Sequence, residues 1–563
     1  MNKEWWKKAV VYQIYPRSFN DSNGDGIGDL PGIREKIDYL EYLGIDLVWL
    51  NPVYDSPNDD NGYDVRNYRK IMDEFGDMGD WEALLEDLHE RGIKLVMDFI
   101  PNHTSDEHRW FRKSRKSRDN KYRDYYFWRS GNEKEPPNNW DSVFGGSAWK
   151  FDDLTREYYL HLFSRKQPDL NWDNPEVRKE LYEIMNWWLD KGIDGFRLDV
   201  VNFISKNPKL PDDTTRGPYG SRGSKYYVDG PNIHSYLQEM NRKVFAGRDA
   251  VAIGETPLVS VDEGAKYVEP SRNELDMIFQ FDHVTFDLDD GGFWSHPKDW
   301  NLTELKDIFS RWRKVAARTG GWNATYLSNH DQPRMVSRLG DDANFRRESA
   351  KLLATLLLTI SGTPFIYQGE ELGMTNYPFS DISELRDVQT INQFNEMKKK
   401  GEVEDFEEVK DKVRFWSRDN ARTPIQWTSG ENAGFTKGEP WINVNPNKES
   451  INVEAEKKDE NSVLNYYRDL ISLRKDHEAL IYGKYEPLMD DDEEIFAFKR
   501  RGKDETVLTV LNFSDGKREL SLSKLIPKGW RGLLLSNYPD ENLDEERTNI
   551  NLKPYEARLY LLE

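Results

Sequence analysis

No cysteine occurs among the 563 residues. That excludes a disulfide scaffold, a thiolate zinc site, an iron–sulfur cluster and a Cys nucleophile. Long hydrophobic runs are missing as well. The longest, residues 352–360, is interrupted by Ala354, Thr355 and Thr359. It falls far short of the ~20 apolar residues of a membrane-spanning helix and reads as a buried helix. The opening Met1-Asn-Lys-Glu-Trp-Trp-Lys-Lys has no apolar stretch behind its charges, so a soluble, cytoplasmic protein is expected rather than a secreted one. Positive charge is in deficit: 79 Lys and Arg stand against 101 Asp and Glu, a net −22. Nucleic acids and anionic membranes call for clustered Lys and Arg, so neither is an expected partner. The acidic run Asp490-Asp-Asp-Glu-Glu494 sits between strand-like segments and reads as a solvated turn rather than a metal site.

What is present has a rhythm. The length suggests roughly two to four domains. Runs of β-branched and aromatic residues recur at 10–16, 46–52, 94–101, 195–201, 251–256, 277–282, 324–331 and 364–371, separated by long amphipathic segments. Three of those segments end alike, in Leu43-Gly-Ile-Asp46, Arg91-Gly-Ile-Lys94 and Lys191-Gly-Ile-Asp194, where glycine supplies a left-handed helix stop. Eight strands alternating with helices predict an α/β fold, a (β/α)8 TIM barrel. The alternative is an open doubly wound sheet, but the Gly-rich phosphate turn expected after an early strand of such a sheet is absent.

Two regions break the rhythm. Residues 105–174 are rich in Arg, Asp, Asn, Trp and Pro and form an excursion large enough for a small inserted domain after the third strand. Beyond about 480 the pattern becomes alternating strands at 495–499, 506–513, 531–535 and 557–562, an all-β module that buttresses the barrel. The expected division is a barrel from 1–104 and 175–480, an inserted domain at 105–174, and a C-terminal β-sandwich at 481–563.

Chemistry in such a barrel sits at the C-terminal ends of its strands. There the chain reads Asp98-Phe-Ile-Pro-Asn102-His103, Gly195-Phe-Arg197-Leu-Asp199-Val200, Gly254-Glu255-Thr256 and Asn329-His330-Asp331. Buried charges cost several kcal/mol each unless paired, so four such ends together are hard to attribute to packing. Three carboxylates without a Cys or a Ser–His pair suit glycoside cleavage, in which one carboxylate attacks the anomeric carbon and a second protonates the leaving oxygen. Arg197 lies two residues before Asp199, on the same strand face, and is expected to keep Asp199 ionised as nucleophile. Glu255 has no cationic neighbour in its own motif, which suits an acid of raised pKa. Of the nine histidines, only His103 and His330 fall at strand ends, where they could bond sugar hydroxyls.

With these motifs the sequence resembles glycoside hydrolase family 13, the α-amylase family, and within it the oligo-1,6-glucosidase/α-glucosidase branch. The opening segment at 6–19 and Gln167-Pro-Asp-Leu-Asn-Trp172 carry the same resemblance, which spans nearly the whole chain. It implies a retaining mechanism with Asp199 as nucleophile, Glu255 as acid/base and Asp331 as the third carboxylate, orienting sugar hydroxyls. It further implies that Asp60 and Tyr63, in Asn58-Asp-Asp-Asn-Gly-Tyr-Asp64, bind the non-reducing terminal glucose. Asp60 would close the pocket and make the enzyme exo-acting. His103, Arg197 and His330 would line the same subsite, with Phe163, Gln167 and Arg418.

The segment Asp21-Ser-Asn23-Gly-Asp25-Gly-Ile27-Gly-Asp29 has oxygen ligands at alternate positions and glycines for the turn, but Gly32 stands where an EF-hand has its bidentate Glu. The resemblance places a structural calcium there, held by Asp21, Asn23, Asp25, the Ile27 carbonyl and Asp29; no organic cofactor is expected. In this branch Val at position 200 resembles α-1,6-acting enzymes, whereas Ala or Thr resembles maltases. Sucrose isomerases of the family carry Arg-Leu-Asp-Arg after the sixth strand; here residues 285–291 read Thr-Phe-Asp-Leu-Asp-Asp-Gly.

The expected activity is therefore an exo-acting retaining α-glucosidase that hydrolyses α-1,6 bonds at the non-reducing end of isomaltose and short isomalto-oligosaccharides, as a monomer or weak homodimer. The alternatives are an α-1,4-glucosidase (maltase or sucrase), a trehalose-6-phosphate hydrolase, a transglucosylase, an endo-amylase and, from another class, an inactive binding subunit.

Overall fold

The computed structural model describes residues 5–217, 221–288, 297–521, 525, 530–538 and 549–562. Eight parallel strands, Val11–Ile14, Leu47–Leu50, Lys94–Phe99, Gly195–Leu198, Val251–Glu255, Met277–Phe279, Ala324–Thr325 and Thr363–Tyr367, pair in chain order, with the first also bonded to the eighth. A parallel bridge between Ile278 and Asn323 joins the sixth strand to the seventh and closes the ring. The barrel, not the open sheet, is the fold. All eight expected strands are present, although the seventh is a two-residue ladder whose polar end lies beyond it.

The strands are almost uniformly buried because side chains fill one face and helices cover the other. Inside the barrel Val11, Leu47, Trp49, Val96, Ile253, Phe279 and Phe365 form one cluster, with Trp49 stacked on Phe279 at 5.2 Å. The helix stops work as read: Gly44, Gly92 and Gly192 hold φ of 83°, 72° and 108°, where a side chain would strain the backbone. The apolar run at 352–360 falls largely within the helix Arg346–Thr359, buried from Ser349 onward.

Between the third and fourth barrel strands, Trp128–Ser130, Trp149–Asp152 and Glu157–Leu160 form an antiparallel three-stranded sheet. An excursion after the fourth barrel strand packs onto it, with Asn138 Nδ2 donating to the Leu210 carbonyl and Trp140 Nε1 to that of Pro211. A further excursion follows the eighth strand. Its helix Val388–Lys400 is anchored on a separate cluster of Phe379, Leu385, Phe394, Val403, Phe406, Val409 and Val413; the sequence reading had not set this region apart from the barrel.

The C-terminal module is a five-stranded antiparallel sheet in the order Lys484–Leu488, Ile495–Arg501, Thr506–Asn512, Ala557–Leu562, Trp530–Ser536, beside a two-stranded ladder of Arg518–Ser521 and Asn549–Leu552. The acidic run at 490–494 is the turn between the first two strands. Lys306 Nζ from the barrel donates to the Met489, Asp492 and Ile495 carbonyls around that turn. Residues 289–291, the end of the segment read above at 285–291, lie outside the described residues.

Candidate active site

Strand register brings the charged groups together. In the parallel pair of third and fourth strands, Asp98 stands beside Arg197. Residues 197 and 199 point to the same side, and Glu255 is the last residue of the adjacent fifth strand. Arg197, 1% exposed, then serves three acids. Its Nη1 donates to Asp98 Oδ1 at 2.9 Å and to Asp199 Oδ1 at 2.7 Å, and its Nη2 meets Glu255 Oε1 at 2.5 Å.

The fold, rather than its own motif, gives Glu255 a cationic neighbour, yet its carboxyl is raised as expected. One expectation is corrected: Arg197 does not single out Asp199 for ionisation. Burial pushes the Glu255 carboxyl up, Arg197 pulls it back, and the Asp331 charge adds to the rise. Asp199 is likewise raised, by burial and then by the charge of Glu255, against the pull of Arg197. With one guanidinium already shared with Asp98, the two carboxyls titrate as a unit. Val200 distinguishes them geometrically. Its φ of 34° and ψ of 44° are left-handed, a strained state for a β-branched residue. Its N–H donates to Glu255 Oε2 at 3.0 Å.

Asp331 has the opposite environment. Arg422 Nη2 lies 2.7 Å and Arg418 Nη1 3.2 Å from its Oδ1, with His330 Nε2 3.2 Å from Oδ2. Burial opposes ionisation, but these groups hold the carboxyl well below the usual range. Burial pushes His330 down to about 3. Gln13 Nε2 at 2.9 Å from its Nδ1 assigns the proton of the neutral ring to Nε2, facing Tyr63 Oη at 2.6 Å. Burial likewise lowers His103 to about 3. At the closed end, Asp60 accepts from Gln167 Nε2 at 3.1 Å and pairs with Arg418 Nη2 at 3.2 Å. Burial raises it to about 6 against the pull of Arg418 and Arg422.

The cavity above these groups measures about 900 Å³, and Asp60, Tyr63, His103, Phe163, Asp199, Val200, Glu255, Asp331 and Arg418 all reach its wall. Arg197, Gln167 and His330 bond to these wall groups, at Asp199, Asp60 and Tyr63 respectively. Tyr63 stacks on His330 with ring centres 5.2 Å apart, and His103 packs against Phe163 at 5.1 Å. Sequence reasoning missed Asp98, Asp387 and Arg422. Asp98 was legible as the one acid inside an apolar strand. Arg418 and Arg422 lie four apart on a single turn, the helical spacing that puts two side chains on one face. Asp387, which takes Arg418 at 2.6 Å, left no local signal.

In the Asp21–Asp29 loop the polar oxygens organise the backbone. Asp21 Oδ1 accepts from the Asn23 and Gly24 amides, Asn23 Oδ1 from Asp25 and Asp25 Oδ1 from Ile27. Asp29 caps the helix Leu30–Arg34 through Gly32 and bonds Ser22. The hard oxygen donors suit calcium. Among the described residues no three His, Asp or Glu side chains form a group that could hold a metal.

Three buried carboxylates around one guanidinium, at the C-terminal ends of (β/α)8 strands and beside a blind cavity, define a glycoside hydrolase. Residues 13–483 match the alpha amylase catalytic domain and 485–559 the maltogenic amylase C-terminal domain. The chain belongs to the alpha-amylase family. It is 55% identical to an oligo-1,6-glucosidase of Parageobacillus thermoglucosidasius, covering 100% of this chain and 99% of that protein. It is 53% identical to an oligo-1,6-glucosidase of Bacillus cereus, with 100% of both covered. The crystal structure of the Bacillus licheniformis trehalose-6-phosphate hydrolase superposes with a TM-score of 0.92 at 46% identity, covering 99% of this chain and 100% of that one. No described helix is long and apolar enough to cross a membrane.

Proposed function

We propose that this enzyme removes single glucose units from the non-reducing end of isomaltose and short isomalto-oligosaccharides, cleaving α-1,6 bonds with retention of configuration. The observation that carries the reading is the Asp60–Arg418 pair, which closes the cavity wall beside Asp331. That closure disfavours an endo-amylase. The three intact carboxylates disfavour an inactive binding subunit.

Asp199 attacks the anomeric carbon as the glycosidic C–O bond breaks, and Glu255 transfers its proton to the leaving oxygen. Water then attacks the glycosyl-enzyme ester, Glu255 takes its proton, and Asp199 leaves as carboxylate. One guanidinium contacts both carboxylates, which brings nucleophile and acid/base to one site, as a retaining mechanism requires. Asp331, held ionised by Arg418 and Arg422, accepts sugar hydroxyls, and Asp60 fixes the outermost ones. Val200, on the cavity wall, supports the α-1,6 preference. The names of the two oligo-1,6-glucosidase relatives support it further.

A second reading, hydrolysis of a phosphorylated disaccharide, is favoured by Lys399 and Lys400 at the cavity mouth. The deciding panel is isomaltose, maltose, sucrose, trehalose-6-phosphate and starch, with the released anomer followed by NMR. Initial β-glucose would refute retention, and maltose turnover without isomaltose turnover would refute the linkage. Excess glucosyl transfer to sugar would identify a transglucosylase.

Calcium in the Asp21–Asp29 loop belongs to the same proposal, with Asp21, Asn23, Asp25, the Ile27 carbonyl and Asp29 as donors and a structural role only. So do a cytoplasmic location and a monomer or weak homodimer, tested by cell fractionation and sedimentation.

A further inference from the structure

The turn that carries Asp60 is clamped at its ends and bent in its middle. Arg66 grips Asp55 twice, Nε to Oδ2 at 2.7 Å and Nη2 to Oδ1 at 2.6 Å, and its amide donates to the Asp55 carbonyl at 2.8 Å. Between these ends Asn58, Asn61 and Gly62 have φ of 63°, 48° and 103°. Asn and Gly tolerate that left-handed region but do not select it, so the turn needs contacts of its own to keep its shape.

Those contacts converge on Asp64, which has no exposed surface. Among the described residues no basic side chain pairs with it; three donors from the turn itself surround it instead. Its Oδ1 accepts from the Asp60 amide at 3.0 Å and the Ser56 hydroxyl at 2.9 Å, and its Oδ2 from the Asp59 amide at 3.0 Å. Ser56 Oγ accepts in turn from the Asn58 amide at 3.0 Å. A buried carboxylate without a counter-charge costs several kcal/mol unless donors meet its oxygens. Burial pushes Asp64 up to about 7 against the pull of the two amides.

That costly arrangement fixes two peptide units. With the Asp59 and Asp60 amides committed to Asp64, the side chains of both residues are left for other partners. Asp59 Oδ2 takes the Ser164 hydroxyl of the inserted domain, and Asp60, on the cavity wall, meets Gln167 and Arg418.

We infer that Asp64 is a positioning residue for the terminal-glucose pocket, holding the Asp60 backbone so that the Asp60 carboxylate is presented to the sugar. Being wholly buried, Asp64 touches no substrate, and its effect passes through Asp60. This rests on the α-glucosidase reading and adds the residue by which the turn sets affinity for the glucose unit.

The test uses the full-length enzyme with Asp64→Asn, Asp60→Ala and both together. The carboxamide keeps the shape of Asp64 but puts an NH2 group, which cannot accept, in place of one oxygen. On 4-nitrophenyl α-glucoside KM should rise about tenfold in Asp64→Asn, with kcat within about twofold, and the inhibition constant of free glucose should rise by the same factor. In the Asp60→Ala background the same substitution should change kcat/KM by less than about twofold, because residues that act through one another are non-additive. Equal losses in the two backgrounds, or no loss in either, would overturn the inference. Should Asp64→Asn fail to fold, Ser56→Ala, which removes one donor and leaves the carboxylate, should raise KM about threefold, and only where Asp60 is present. A wild-type enzyme inert toward the nitrophenyl glucoside would sink the α-glucosidase reading instead. Hydrogen exchange of the backbone amides at 56–64 should still quicken in Asp64→Asn, and unchanged exchange would remove Asp64 as the holder of the turn, so the two failures are told apart.

Discussion

Replacing Arg422 by methionine tests how the third carboxylate is kept charged. In the wild type Asp331 Oδ1 lies 2.7 Å from Arg422 and 3.2 Å from Arg418. At a charge separation of roughly 4 Å and an effective dielectric near 20, each cation contributes about 4 kcal/mol, close to three pKa units. Methionine fills similar volume without charge, so the Asp331 carboxyl should rise by two to three units, from well below the usual carboxylate range into it. In the wild type Asp331 stays ionised across the acid limb of kcat/KM, which reflects the raised carboxyls of the Asp199–Glu255 pair and of Asp60. In Arg422→Met a further group, the Asp331 carboxyl, should titrate closer to the ordinary carboxylate range and steepen that limb, with activity at pH 7 largely kept. The folded pKa of Asp331 is depressed, so the contact stabilises the fold above the unfolded pKa. That contribution fades as pH falls through the folded value, and the variant should lack it. The measurement is kcat/KM on 4-nitrophenyl α-glucoside from pH 3.5 to 8, beside melting curves across the same range. Superimposable profiles would refute the claim that the two arginines hold Asp331 ionised.

Further outcomes follow from the same geometry. Asp199→Ala should reduce kcat at least about a thousandfold; more than a trace of residual turnover would remove Asp199 as nucleophile. Asp60, raised to about 6, accepts hydroxyls best when charged, so KM for isomaltose should fall as pH rises through 6, and Asp60→Asn should flatten that dependence. Burial holds Glu370 protonated, raised to about 8. The native state therefore binds the extra proton, and stability should decline between the unfolded value and pH 8; in Glu370→Gln the decline seen in denaturant titrations should become shallower, most of all between about 7 and 8. Chelation by EGTA should lower the Tm by a few degrees if the Asp21–Asp29 loop holds calcium, whereas an unchanged Tm would remove the ion.

The fold was legible because its signals are local. Glycine stops at 44, 92 and 192, apolar runs of strand length and the amphipathic segments between them depend only on neighbours in the chain. The polar strand ends were legible for the same reason: Asp98, Arg197, Asp199, Glu255 and Asp331 interrupt runs that packing alone would keep apolar. The missed C-terminal strands, Lys484–Leu488, Arg518–Ser521 and Asn549–Leu552, are short and partly exposed, so their alternation is weak. The helix Val388–Lys400 carries two stripes one residue apart, and nothing local says which faces a cavity.

The sequence by itself determined the barrel and the residue types able to do its chemistry. The lack of cysteine, with carboxylates at four strand ends, made carboxylates the catalysts to look for. Tertiary structure decided how those charges are shared. Arg197 reads as the partner of Asp199 because they are two residues apart, yet closing the barrel brings Glu255 to within 2.5 Å and Asp98 to 2.9 Å of the same guanidinium. Arg418 and Arg422, more than eighty residues beyond Asp331, set its ionisation. Electrostatic energy depends on distance in space and on exclusion of water, and the chain reveals neither until it is folded.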